Sequence, residues 1–132
     1  MGDIVFLTLA EAVEIHADQI QRYGGKEGVR DMDLLSSAVA MPYASFSGSF
    51  IHADIYEMAA AYAFHISRDH PFIDGNKRTA LASALVFLEL NGKSLLDKSG
   101  KLYDAMMSIA SGHLNKTEFA KILRKLSDNL SD

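Results

Sequence analysis

The chain has 132 residues, 48% of them hydrophobic and 23% charged, which suits one globular domain spanning 1–132 and argues against disorder. It has no cysteine, which excludes disulfides and thiolate chemistry, and its net charge of −4 disfavours direct, sequence-independent nucleic-acid binding. The N-terminus carries an early acid and no basic stretch before a long apolar run, unlike a signal peptide, and no apolar run reaches the ~18 residues of a membrane span; the expectation is a cytoplasmic protein with no membrane contact.

The spacing predicts an all-α chain of about six helices. Thr8 and Glu11 stand as a capping box, and Leu9, Val13, His16, Ile20 and Tyr23 recur at helical spacing until Gly24-Gly25 stops the helix. A shorter helix follows Asp31, with Leu34, Leu35, Ala38 and Val39 on one side, and ends before Pro42. Residues 43–53, YASFSGSFIHA, read as a hairpin-like flap or a mobile loop, and equally as a plain connector. A long Ala-rich helix runs from Asp54 to about Asp69, and the next runs from near Asn76 to Asn91-Gly92. The latter is apolar almost all round and is expected to be the buried central helix. Two more follow, one around 101–111 through Leu102, Ala105, Met106 and Ile109, and one after Asn115. Asn115 and Glu118 can cap the last, with Phe119, Ile122, Leu123 and Leu126 facing inward. The only strand-like pattern is Ile4–Leu7.

The informative segment lies between the two long helices: HPFIDGNKRT, starting at His70. Pro71 pushes His70 out of the α region and ends the helix at the imidazole. Phe72 can plug into the core, and Gly75 removes a Cβ where a ligand or backbone must come close. Asn76 opens a helix whose first N–H groups lack intrahelical partners and carry partial positive charge, a ready anion site. Lys77 and Arg78 add two full charges to that first turn, where cations oppose the macrodipole by a few tenths to ~1 kcal/mol. A bound phosphate is the simplest reason for such a placement. Asp74 offers a hard oxygen for Mg²⁺, and His70 a group that accepts a proton near neutral pH. A base, a metal carboxylate and a phosphate cradle within nine residues point to phosphoryl or nucleotidyl transfer.

Each member alone has a plainer reading: a His before Pro as a cap or core residue, Asp-Gly as a turn, Lys77 and Arg78 as solvated charges. The constellation carries the weight. His16 and His65 lie on or near apolar helix faces and read as satisfied core residues, while His52 and His113 fall in loops. No pair of histidines has zinc-protease spacing, and GNKRT lacks the first glycine and spacer of a Walker A loop.

HPFIDGNKRTALASALVFLELNG resembles the Fic/Doc superfamily signature HPFx(D/E)GN(G/K)R in its Doc variant. LTLAEAVEIH, QRYGGKEGVRD and DLLSSAVAMP are also similar to the death-on-curing family, so the resemblance covers residue 6 to about 126. It implies an α-helical Fic fold with the motif loop between two central helices. It also implies His70 as the base toward the target hydroxyl, Asp74 as the Mg²⁺ ligand, and Gly75, Asn76, Lys77 and Arg78 as the nucleotide-binding turn. Arg68 matches a basic residue found just upstream in Doc-like sequences.

AMP-transferring Fic proteins carry Gly where this chain has Lys77, and a second Arg where it has Leu81. Doc-type members with these changes are understood to bind ATP reversed, transfer its γ-phosphate to elongation factor Tu and stop translation. The resemblance therefore implies a toxin kinase using ATP and Mg²⁺; AMP transfer and a non-catalytic nucleotide- or partner-binding Fic domain are the alternatives. The chain has no (S/T)xxxE(G/N) inhibitory helix, so restraint would come from a separate antitoxin, whose disordered tail would fold as a helix on the apolar surface near residues 40–66.

Overall fold

A computed structural model describes residues 3–128. Helix α1 (Leu9–Tyr23) begins at the predicted capping box: Thr8 Oγ1 accepts from Glu11 N–H at 3.1 Å, and Glu11 Oε1 accepts from Thr8 N–H at 2.9 Å. Its buried residues, Ala12, His16 and Ile20, repeat every four positions. Helix α2 (Met32–Ala40) is capped by Asp31, and a 3₁₀ turn at Met41–Tyr43 carries Pro42 into a small antiparallel hairpin, β1 (Ser45–Phe46) and β2 (Ser49–Phe50). The 43–53 segment thus contains a hairpin and is not a plain connector.

Helices α3 (Ile55–Asp69) and α4 (Asn76–Leu90) form the central antiparallel pair. Helix α5 (Lys101–Ala110) takes its cap from the Asp97 carboxylate, and α6 (Lys116–Asp128) from the reciprocal pair Asn115 and Glu118. The helices pack around one apolar core that includes Leu35, Met58, Tyr62, Ile66, Phe87 and Leu123.

Two expectations are corrected. The enclosed helix is α3, not α4: Ala59–Ala63 are all buried, with α2, α4, α5 and α6 around them. Alanine lets four neighbours approach closely, whereas the larger Leu81, Leu85 and Val86 of α4 stay half-buried. The Ile4–Leu7 segment forms no strand. Its polar backbone is satisfied by side chains: Val5 N–H donates to Asn91 Oδ1 at 2.9 Å, and Leu7 N–H to the Tyr62 hydroxyl at 2.9 Å. Burial pushes the Tyr62 phenol up to about 12. Among the described residues, no helix is long and apolar enough to cross a membrane.

Candidate active site

The loop joining α3 to α4 is shaped from outside those helices. Pro71 does remove His70 from the right-handed α region, but the residue falls in the left-handed region (φ 49°, ψ 54°) and not in the extended one. That conformation costs a residue with a Cβ roughly 1–2 kcal/mol and needs support. Arg30 supplies it. Its Nε donates to the His70 carbonyl at 2.7 Å, and its terminal nitrogen to the Asp69 carbonyl at 3.0 Å. The backbone N–H groups of Arg30 and Asp31 donate to Pro71 O at 2.7 and 3.1 Å, and Ile73 N–H donates to Gly28 O at 3.1 Å. Residues 28–31 therefore lie as an antiparallel splint along 70–73, with Val29 bridged to Phe72. Sequence reasoning assigned Arg30 no role, although the signal that singled out Lys77 and Arg78 was present: a cation beside a helix N-cap, here Asp31.

Phe72 is buried, as its plug role requires, and its ring stacks flat on His16, with centroids 3.9 Å apart and planes at 3°. His16 is a satisfied core residue, but its partner is the motif loop: Nε2 donates to the Asp74 carbonyl at 2.8 Å. Asn76 pins the same turn. Its amide oxygen accepts from Phe72 N–H at 2.9 Å and its amide nitrogen donates to Phe72 O at 3.0 Å. The side chain is thereby oriented, and one N–H of its amide nitrogen is left, besides the backbone N–H, for contact with an anion.

Gly75 serves as N-cap of α4 at φ +73°, and no side chain caps the helix. A Cβ at this position would stand 3.0 Å from Ile20 Cδ1, so the close approach that demands glycine is to α1. Thr79 N–H makes the bond to Gly75 O that starts the ladder, so the N–H groups of Asn76, Lys77 and Arg78 precede it. Gly75 N–H is already given to Asp74 Oδ1 at 2.8 Å.

Asp74 Oδ2 accepts a second backbone N–H, from Lys26 at 3.1 Å. These two donors, Lys26 first, hold the carboxyl below its ordinary range and keep it ionised. A carboxylate has about four acceptor directions, so two remain for a cation. Asp74 is solvent-exposed at the mouth of the cleft and fits Mg²⁺, which takes one or two carboxylates together with waters and phosphate oxygens.

His70, Asp74, Gly75, Asn76, Lys77 and Arg78 line one open cleft of about 570 Å³, completed by Ile73 and, from α5, Tyr103 and Met107. The Arg78 guanidinium donates to Gly24 O at 2.9 Å and lies over the ring of Tyr23, which is exposed although its spacing put it with the inward residues. Lys77 is exposed to the cleft. Arg68 is not brought in: it is 65% exposed, lies over Phe64 and sits 3.5 Å from the Asp69 carboxylate, outside the cleft lining. Elsewhere, His52 lies in a loop as its position suggested, yet is buried. It and His65 face Lys116, whose Nζ lies 3.4 and 3.2 Å from their Nε2 atoms.

A helical domain whose central pair is joined by this motif loop defines a class, and the chain belongs to the Fic/DOC family, whose model matches residues 6–88. The chain is 36% identical over 116 residues to the protein kinase doc of Escherichia phage P1, covering 88% of this chain and 90% of that protein. It is 44% identical over 73 residues to the toxin Doc of Mycolicibacterium smegmatis, covering 55% of this chain and 56% of the relative.

Proposed function

We propose that the chain is a Doc-like toxin of a toxin–antitoxin pair, transferring the γ-phosphate of ATP to a Ser or Thr hydroxyl of a protein, with elongation factor Tu as the expected target and arrested translation as the outcome. The observation that carries this reading is the side-chain-uncapped start of α4, with Lys77 and Arg78 in its first turn, sharing one cleft with His70 and Asp74. The names of the relatives, a protein kinase and a toxin, support it.

In this mechanism the acceptor hydroxyl loses its proton to His70 as its oxygen bonds to the γ-phosphorus. The bond from that phosphorus to the β–γ bridging oxygen breaks, and ADP leaves. Asp74 would hold Mg²⁺, which neutralises phosphate charge when bound. The N–H groups of Asn76, Lys77 and Arg78 and the two cationic side chains bind the phosphates and stabilise the charge that develops in transfer. The αL backbone at His70 aims the imidazole, and Arg30 holds that backbone.

AMP transfer is the second reading within the same fold. It requires the β- and γ-phosphates to sit deep in the loop, where Lys77 fills the space that glycine leaves open and Leu81 offers no charge. Incubation with a translation extract and ATP labelled separately at the α and γ positions separates the two: γ label and a gain of one phosphate support the kinase, and α label overturns it. A domain that only binds nucleotide would pass neither label. For regulation, a separately encoded antitoxin would cover the apolar surface near 40–66, where Tyr43, Phe46, Phe50 and Ile51 are exposed. A host harmed by the chain alone and rescued by co-expression of a short neighbouring reading frame is the expected result; a chain with an intact site that is harmless when expressed alone removes the motive for an antitoxin.

A further inference from the structure

His16 is a polar ring on the buried stripe of α1, between Ala12 and Ile20, and only 3% exposed. Phosphotransfer gives it no proton to move, yet it touches the motif loop at two points. Its ring lies flat against Phe72, with centroids 3.9 Å apart, and its Nε2 stands 2.8 Å from the Asp74 carbonyl. A carbonyl can only accept, so Nε2 carries the hydrogen. Apolar packing alone would be served by phenylalanine; the donor is what histidine adds. The peptide unit that receives this bond joins Asp74 to Gly75. A trans peptide is planar, with its C=O and N–H pointing opposite ways, so holding one end aims the other. Here the C=O is held by His16, and the N–H donates to Asp74 Oδ1 at 2.8 Å.

Resting on the reading of Asp74 as the Mg²⁺ ligand, we infer that His16 is a positioning residue for that ion. Through the Asp74–Gly75 peptide it fixes the carboxylate at the mouth of the cleft. The need for such a lock comes from Gly75. At φ +73° and without a Cβ it reaches φ of either sign at little cost, so the peptide before it can turn over unless something outside the loop holds it. Turned over, the peptide takes its N–H away from Oδ1, and Asp74 keeps only the Lys26 N–H, 3.1 Å from Oδ2. The stack on Phe72 and the bond to Asp74 also bracket Ile73, so one side chain of α1 sets both ends of this stretch of the loop. Outer partners of a metal ligand commonly carry about 10–100-fold in metal affinity. His16 acts through a peptide unit and not on the carboxylate itself, so the lower end of that range, about ten-fold, is expected.

Two variants separate the donor from the ring. His16→Phe keeps a flat ring against Phe72 and removes the donor; His16→Gln places an amide nitrogen near the position of Nε2 and removes the ring. Mn²⁺, a reporter for a Mg²⁺ site, is titrated into the full chain with ADP and followed by electron paramagnetic resonance, with circular dichroism to check folding. His16→Phe should bind Mn²⁺ about ten-fold more weakly than the parent, and His16→Gln within about three-fold of it. Metal-free binding of tripolyphosphate, measured by calorimetry, should be unchanged in both, because the N–H groups of residues 76–78 lie beyond Gly75. A folded His16→Phe with parental Mn²⁺ affinity overturns the inference. So does a loss that is equal in the two variants or larger in His16→Gln, which assigns His16 to packing alone. In the parent, the His16–Asp74 bond should appear as a through-bond NMR coupling between Nε2 and the carbonyl carbon. Its absence overturns the inference even where His16→Phe does not fold. A parent that binds no Mn²⁺ overturns this inference together with the metal reading beneath it.

Discussion

Replacing Arg30 with Ala removes two hydrogen bonds that a guanidinium makes to the carbonyls of Asp69 and His70, while the backbone bonds from residues 30, 31 and 73 remain. A hydrogen bond from a charged donor contributes about 1.5–3 kcal/mol when shielded. Arg30 is exposed and water partly replaces it, so the global loss is set at about 1 kcal/mol, or roughly 3–4 °C in Tm for a domain of this size. The local effect is larger. His70 is held in a conformation that itself costs about 1–2 kcal/mol, and without the clamp that strain is released by rotating the residue away. A shift of 1–2 kcal/mol changes the population ratio about 5–30-fold, so kcat should fall about ten-fold. The KM for ATP should stay near the parent value, because the phosphate contacts belong to the other end of the loop. Arg30→Lys should recover only part of kcat, since one ammonium cannot span both carbonyls as the fork does. The assay is steady-state phosphotransfer at saturating ATP, with the His70 ring proton followed by NMR in parallel. An Arg30→Ala protein with parental kcat and a displaced His70 signal would refute the link between that backbone and the reaction.

His70→Ala should lose 10²–10⁴ in transfer rate while melting within a degree or two of the parent; parental activity would remove His70 as the base. Gly25→Ala places a Cβ 2.8 Å from Asp74 Oδ2 at φ +119°, so it should destabilise by about 1–3 kcal/mol and raise the Mg²⁺ concentration needed for half-maximal activity. Gly24→Ala, at φ +84° but with nothing within 4 Å of its Cβ, carries backbone strain without the contact to Asp74, so it should cost stability yet leave Mg²⁺ dependence unchanged. Burial first, then Lys116, depresses His65 to about 4 and lowers His52 as well, so the unfolded chain binds more protons between pH ~6.5 and ~4. Thermal stability should therefore fall as pH drops through that window, and less steeply in His65→Gln; an equal slope would refute the assignment. Lys77→Gly should open space in the first turn of α4 and divert part of the transfer from γ label to α label, read by mass of the modified target.

What the sequence makes legible here is local. Thr8 with Glu11, and Asn115 with Glu118, announce their helix starts because a cap and its partner are three residues apart. The motif loop is legible for the same reason: its charges and helix start lie within nine residues. What escapes is the second layer. His16 reads as a core histidine, and nothing near it points to an Asp74 carbonyl 58 positions away. Arg30 reaches the motif loop, and Tyr103 the cleft, only through tertiary packing that places the segment after α1 and helix α5 beside it, and Asn76 turns its amide onto Phe72 because the loop closes on itself. The misplaced centre has a similar cause, since apolarity singles out α4 while the crowding that decides burial favours the alanines of α3.

The splint of residues 28–31 and the turn before it also make the cleft depend on distant parts of the chain. Helices α3 and α4 are sequence neighbours and can pair early, as short-range contacts do. The loop between them takes its hydrogen bonds from His16, Lys26 and Arg30, which lie 39 to 58 residues away along the chain. Until α1 and the turn after it have docked, His70 has no clamp, the Asp74 carboxylate lacks its Lys26 donor and Phe72 has no ring to stack on. The geometry of the motif cleft therefore depends on α1 and the segment after it being docked, and local opening of α1 would withdraw that support while the α3–α4 pair stays formed.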